Sequence, residues 1–255
     1  MKKTGLVLVF SLLSGCATWT APSESVEVLP FNQAVYGAGV GVNPEPATSV
    51  QNIPPSRDHR TIPNLFLDGR IGLGQGWEAA LDLGYFLVDF SFFPRIRKSW
   101  WESKSSDSTF ASVASVGAFW GGHNLDDAGT GSNGVGAEHE RMSGFKASNS
   151  FGVFWPNGWQ VYGGPELALA HASADYTIGL NVSTLRWSGL VPGGFLGVAY
   201  KYVREGHSDI LFDLKFNGLY LPANISGVGP SFWPGARLLV EFSPAAPHNT
   251  SQPSQ

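Results

Sequence analysis

The chain has 255 residues, 16 basic against 20 acidic, and is 43% hydrophobic and 13% aromatic, with 32 glycines and 17 prolines but only 14% charged residues. A balance so rich in β- and turn-formers argues against a helical domain, the formal charge of −4 argues against nucleic acid as a partner, and the length suits one all-β unit. No run of about 20 apolar residues occurs, which excludes a membrane-crossing helix.

The chain begins with a basic start at Lys2 and Lys3 and a short apolar core from Leu6 to Leu13, the layout of an export signal. Next comes Leu13-Ser14-Gly15-Cys16, which resembles the lipobox of bacterial lipoproteins. That resemblance implies cleavage before Cys16, a diacylglyceryl thioether and an N-acyl group on this cysteine, and, with Ala17 in place of aspartate, an outer-membrane address. Several acyl chains on one residue make a durable anchor where a single chain would not. Cys16 is the one cysteine of the chain, so no intramolecular disulfide competes for it. The expected organisation is a signal peptide over 1–15, a lipidated N-terminus and Pro/Ser/Glu tether over 16–30, a β domain over 31–242 and a disordered tail over 243–255. Loss of Lys2 and Lys3 leaves 14 basic against 20 acidic residues, a charge of −6.

The first strand is predicted over Gln33 to Val42, where frequent glycine relieves crowding between close backbones. Asn43 to Pro63, with its prolines, reads as a long loop. Leu65, Leu67, Ile71 and Leu73 then alternate with Asn64, Asp68 and Arg70, and after a Gly74-Gln75-Gly76 turn Trp77, Ala79, Leu81, Leu83 and Tyr85 oppose Glu78 and Asp82. The apolar parity jumps after Phe86-Leu87 to Val88, Phe90 and Phe92, which marks a turn or a bulge. Ser99 to Asp107 reads as a polar loop, Thr109 to Trp120 as a strand and Gly121 to Arg141 as the longest exposed loop. Phe145, Ala147, Phe151 and Val153 oppose Lys146, Ser148 and Ser150 up to a Trp155-Pro156-Asn157-Gly158-Trp159 turn. Beyond it Trp159, Val161, Leu167 and Leu169 oppose Gln160, Tyr162 and Glu166. Tyr176 to Val182 forms the next predicted strand, and Val191-Pro192-Gly193-Gly194 is predicted to turn it into Leu196 to Tyr202. Ile210, Phe212, Leu214 and Phe216 alternate with Asp209, Asp213, Lys215 and Asn217, and Gly235 to Phe242 is the last strand.

A soluble sandwich buries the apolar face of such strands, whereas a membrane barrel turns it to lipid and keeps the charged face inside. Fixed charges on strand after strand, aromatics near strand ends (Trp77, Tyr85, Trp120, Trp155, Trp159) and hairpins about every ten residues resemble the small outer-membrane β-barrel superfamily over most of 31–242. The resemblance implies an all-β, closed antiparallel transmembrane barrel of about ten strands, eight or twelve being the alternatives. Gly235 to Phe242 resembles the terminal strand read by the outer-membrane assembly machinery, although here a tail from Ser243 to Gln255 follows. The expected inward charges are Asp68, Arg70, Glu78, Asp82, Asp89, Arg95, Arg97, Lys146, Glu166, Lys201, Asp213, Lys215, Arg237 and Glu241. Balanced in sign, they would pair into a plug.

Chemistry is sparse. Gly129 to Gly134 spells G-x-G-x-x-G without the strand and helix that a dinucleotide site needs. His123, Asp126, Asp127, Glu138, His139 and Glu140 are metal-binding residue types at spacings that match no ligand motif, and no metal or other cofactor is expected. His171 and Ser173 resemble the His/Ser pair of the lipid A 3-O-deacylases, on the lipid-facing side with Leu167 and Leu169. Ala174 replaces that family's asparagine, and Leu185-Arg186 stands where its acid belongs, so the group that should orient the histidine is missing. The expected protein is a lipid-anchored outer-membrane barrel with a structural or surface-interaction role, with a lipid-modifying esterase or a narrow channel as alternatives. Its expected partners are outer-membrane lipid and the assembly machinery.

Overall fold

The computed structural model describes residues 24–44, 61–86, 89–124, 135–178, 181–203, 209–221 and 231–243. These form ten antiparallel strands: β1 (Ala34–Pro44), β2 (Thr61–Gly74), β3 (Trp77–Phe86), β4 (Asp89–Lys104), β5 (Thr109–Asn124), β6 (Val135–Phe154), β7 (Trp159–Ile178), β8 (Asn181–Tyr202), β9 (Asp209–Leu221) and β10 (Ser231–Ser243). Each pairs with its sequence neighbour, and β1 pairs with β10 from Tyr36↔Phe242 to Val42↔Ala236, so the sheet closes into a barrel with no free edge. The end where β1 starts and β10 stops is called proximal below, and the other distal.

The alternation does what the sequence suggests. Leu65, Leu67, Phe145, Leu169, Leu190 and Leu196 point outward and are each more than half exposed. Of the fourteen charges expected inside, twelve are buried; Lys201 is half-buried at the proximal mouth, and the side chain of Asp89 lies outside the described residues. On β7 the outward apolar run from Trp159 to Leu169 is ten steps of roughly 3.4 Å, which at a tilt of about 40° spans roughly 26 Å along the barrel axis, the height of a bilayer-facing band.

The parity jump after Phe86 is a hairpin turn, one of the two features expected there, since Phe86 pairs with Asp89. Other boundaries differ from expectation. Ser99 to Lys104 is strand rather than loop, paired with β5 and carrying a register shift between Ser99 and Trp101 that breaks the alternation. Gly121–Asn124 and 139–141, expected in a loop, extend the β5–β6 ladder, Val135 to Ala137 pair with β7, and residues 125–134 lie outside the described residues. Val191 to Gly194 makes no turn. Pro192 pairs with Leu167 on one side and Gly193 with Leu219 on the other, so ladders to both neighbours override the local Pro-Gly-Gly preference.

Residues 24–30, expected in the tether, lie against the barrel instead. At Pro30–Gln33 the chain makes a tight turn, with Gln33 N–H donating to the Pro30 carbonyl at 3.2 Å and Asn32 at φ 62°, a left-handed conformation that asparagine tolerates. Asn32 and Gln33 exchange two 2.9 Å backbone bonds with Gly72 at the start of the β2–β3 turn. The reversal sends residues 24–30 back into the lumen, where Glu24, Ser25, Val26 and Leu29 are buried. Val26 packs into an apolar cluster with Ala111, Val113, Tyr162, Phe195, Ala199 and Leu211. A Cβ on Gly72 would strike the Pro30 carbonyl, so this strap requires glycine there.

Candidate functional site

The lumen has two walls of different chemistry. Along β10, β2, β3 and β4 arginines and carboxylates interlock: Arg70 reaches Glu241 at 2.5 Å, Glu78 at 3.3 Å and Asp68 at 3.7 Å, and Arg97 reaches Glu78 at 2.5 Å. Arg95 binds Asp82 at 2.8 Å and approaches Asp68 at 3.5 Å, while Arg237 stands 3.6 Å from Asp82. β1, between β10 and β2, turns glycines 37, 39 and 41 inward, and these leave room for the long neighbours; a Cβ at Gly37 would lie 3.0 Å from Glu241 Cγ. Around β6–β9 the groups are sparser. Lys146 pairs with Glu166 at 2.6 Å, Tyr162 donates to Asp213 at 2.5 Å, and the Lys215 ammonium lies 4.2 Å from the centre of the Phe195 ring. Asp213 and Lys215, neighbours on one strand face, thus turn to different partners.

The strap stitches the two walls together. Leu29 N–H donates to Glu78 Oε2 at 3.0 Å, Arg70 donates to the Glu27 carbonyl at 3.4 Å and Arg97 donates to the Ser25 carbonyl. On the other side Ser148 and Ser150 donate to the Glu24 carboxylate at 3.0 and 3.4 Å, and at the mouth Lys201 and Gln160 donate to Glu27 at 2.7 and 3.3 Å. Burial alone would raise the Glu24 carboxyl; the positive charges of Lys215, Arg95, Arg97 and Lys146 overcome it and hold the group below its ordinary range. Beside Glu27 and Arg70 lies a cavity of about 30 Å³, room for one water, and at the proximal mouth a wider cavity of about 510 Å³ opens between the strap and Trp100, Trp101, Ala111 and Phe154. The strap and the paired charges thus occupy the middle of the described lumen.

His171 and Ser173 lie on the outer face of β7, His171 exposed and Ser173 half-exposed, on the side shared with Leu167 and Leu169. The rows there change abruptly. Phe145, Leu169 and Leu190 stand in register across β6, β7 and β8; the next row toward the distal end is Ser143, His171 and Ser188, and the one beyond is Arg141, Ser173 and Arg186. The cross-strand neighbours of Ser173 are therefore arginines and those of His171 are serines; Asp175, next on the same face of β7, has its side chain outside the described residues.

Cys16, Asp126 and Asp127 lie outside the described residues, as do the side chains of His123, Glu138, His139 and Glu140, and among the described residues no cluster of His, Cys, Asp or Glu could hold a metal. Sequence reasoning missed Glu24, Ser25 and Glu27 as lumen residues; the signal available was the apolar set Val26, Val28 and Leu29 inside an otherwise polar stretch.

No family model matches the chain, and no curated protein does. Among solved structures it is similar to Neisserial surface protein A (14% identity, 84% of this chain and 97% of that one, TM-score 0.33). It is also similar to Ail, the attachment invasion locus protein of Yersinia pestis (9%, 84% and 98%, 0.35), and to the N-terminal β-barrel domain of Pseudomonas aeruginosa OprF (14%, 84% and 99%, 0.34). With TM-scores below 0.5 these are distant likenesses, and the barrel stands on its own closed ladder of hydrogen bonds.

Proposed function

We propose that this chain is a lipid-anchored outer-membrane β-barrel whose lumen is closed by its own N-terminal strap and paired charges, with a structural or surface-interaction role and no catalytic site. The observation that carries this reading is the strap: residues 24–30 occupy the space a channel would need and bind both lumen walls. The outward band of roughly 26 Å favours a bilayer around the barrel. In this reading the signal peptide over 1–15 is removed, Cys16 carries the acyl chains, Ala17 directs the protein to the outer membrane, and the outward Phe242 near the end of β10 is read by the assembly machinery.

Two observations on the intact protein test this reading. Metabolic labelling with a clickable fatty acid should mark the wild type and not Cys16→Ser; equal labelling of both ends the anchoring claim. The detergent-extracted barrel should run faster on gels unheated than boiled, and Cys16→Ser should still need detergent for extraction. Release of Cys16→Ser into buffer would instead make the chain a tethered soluble domain.

A further inference from the structure

Inside the barrel each of Arg70, Arg95, Arg97 and Arg237 faces a carboxylate within 4 Å. Arg141 and Arg186 are different. Both point outward and are exposed; no ion pair joins either to a residue whose side chain is described, and the side chain of Asp175, next on the same face of β7, lies outside the described residues. They flank Ser173 on the two adjacent strands, so their Cα atoms are about two strand spacings, or roughly 10 Å, apart.

The geometry points to a binding site for the phosphate group of a membrane lipid on the outer wall, held between Arg141 and Arg186 over Ser173. The site rests on the reading of the apolar wall as bilayer-facing. Depth is the first reason. The Arg141–Ser173–Arg186 row lies four residues beyond the last apolar row, Phe145–Leu169–Leu190, which is roughly 10 Å further along the axis at the usual tilt. Headgroups occupy about that zone, and an arginine stem can lie back along the wall to meet them. Stereochemistry is the second reason. Two guanidinium forks approaching from opposite sides can share the several oxygens of a phosphate, each in a bidentate charge-assisted pair, which a single planar carboxylate could not offer them. The Ser173 hydroxyl between the forks adds a donor, and Ser143, His171 and Ser188 form a polar sill between the phosphate and the acyl chains. The His/Ser pair thus sits in a lipid-binding patch.

The test uses full-length protein in neutral-lipid nanodiscs, with retained lipid counted by native mass spectrometry. Phosphatidic acid is offered against diacylglycerol with the same acyl chains and against inorganic phosphate. Wild type should retain phosphatidic acid over diacylglycerol by about tenfold or more, and R141Q/R186Q should lose that preference while keeping heat-modifiable mobility. R141K/R186K, which keeps the charge but loses the fork, should recover only part of it. Equal retention by wild type and R141Q/R186Q, equal retention of the two lipids, or full displacement by inorganic phosphate would overturn the site and leave the barrel standing. A wild-type protein that stays soluble without detergent would overturn both. Loss of an acyl chain from the bound lipid that depends on Ser173 would replace the binding site with an esterase.

Discussion

β7 shows the two faces of this barrel on one backbone. Gln160, Tyr162 and Glu166 point inward and each binds or pairs with a named group, whereas Trp159, Val161, Leu167 and Leu169 point outward and meet no comparable partner. The inner face is specified group by group, because a buried charge without its counterion costs several kcal/mol. The outer face is specified by solvent alone, so any apolar residue serves until the polar rows at Ser143–His171–Ser188. Inner substitutions should therefore be costly according to how many partners they strand, and outer ones according to depth.

The largest effect is expected at Glu78, which receives Arg70, Arg97 and the Leu29 N–H. Glu78→Ala removes the carboxylate that faces the buried Arg97 and one of the three around Arg70, and should destabilise the barrel by about 3–5 kcal/mol in urea unfolding from liposomes. A loss below about 1 kcal/mol would mean that solvent, not Glu78, satisfies those arginines. Next comes the outer face, where Leu167→Arg, two residues inside the Leu169 row and between the midplane and the interface, should cost roughly 1–3 kcal/mol in the same assay. An Arg at this position that is tolerated would place Leu167 outside the hydrocarbon.

Gly72→Val tests the strap at its fold-back point. It should cost about 1–3 kcal/mol and expose residues 24–30 to added protease while the strands stay protected. Unchanged protease resistance would show that the strap does not depend on that contact. The smallest effect is expected at Lys104→Ala, whose 3.0 Å pair with Glu102 is solvent-exposed; stability should change by less than about 1 kcal/mol.

Most of the inner face was legible from the sequence, because a period of two with charges at Asp68, Arg70, Glu78 and Asp82 leaves few alternatives once both faces are accounted for. Which charge meets which was not, since pairs such as Arg70–Glu241 join residues far apart in sequence through barrel closure. Lys215 illustrates this: its neighbour Asp213 is taken by Tyr162, and its ammonium lies over Phe195. The strap escaped notice because Pro, Ser and Glu are tether residues by composition, and only the turn at Asn32 directs them inward. The arginine row on the outer wall was invisible for a similar reason. Arg141 fell in a presumed loop and Arg186 in a stretch read only for its missing acid, and only the β6–β7–β8 register brings them to either side of Ser173.

The central claim is that the lumen is filled by strap and ion pairs, and single-channel recording of the wild-type protein in planar bilayers tests it most directly. A barrel so filled should insert and remain electrically silent across the voltage range at which the bilayer itself is stable. Steady, reproducible unitary conductance from wild-type protein would contradict the account and make the chain a channel.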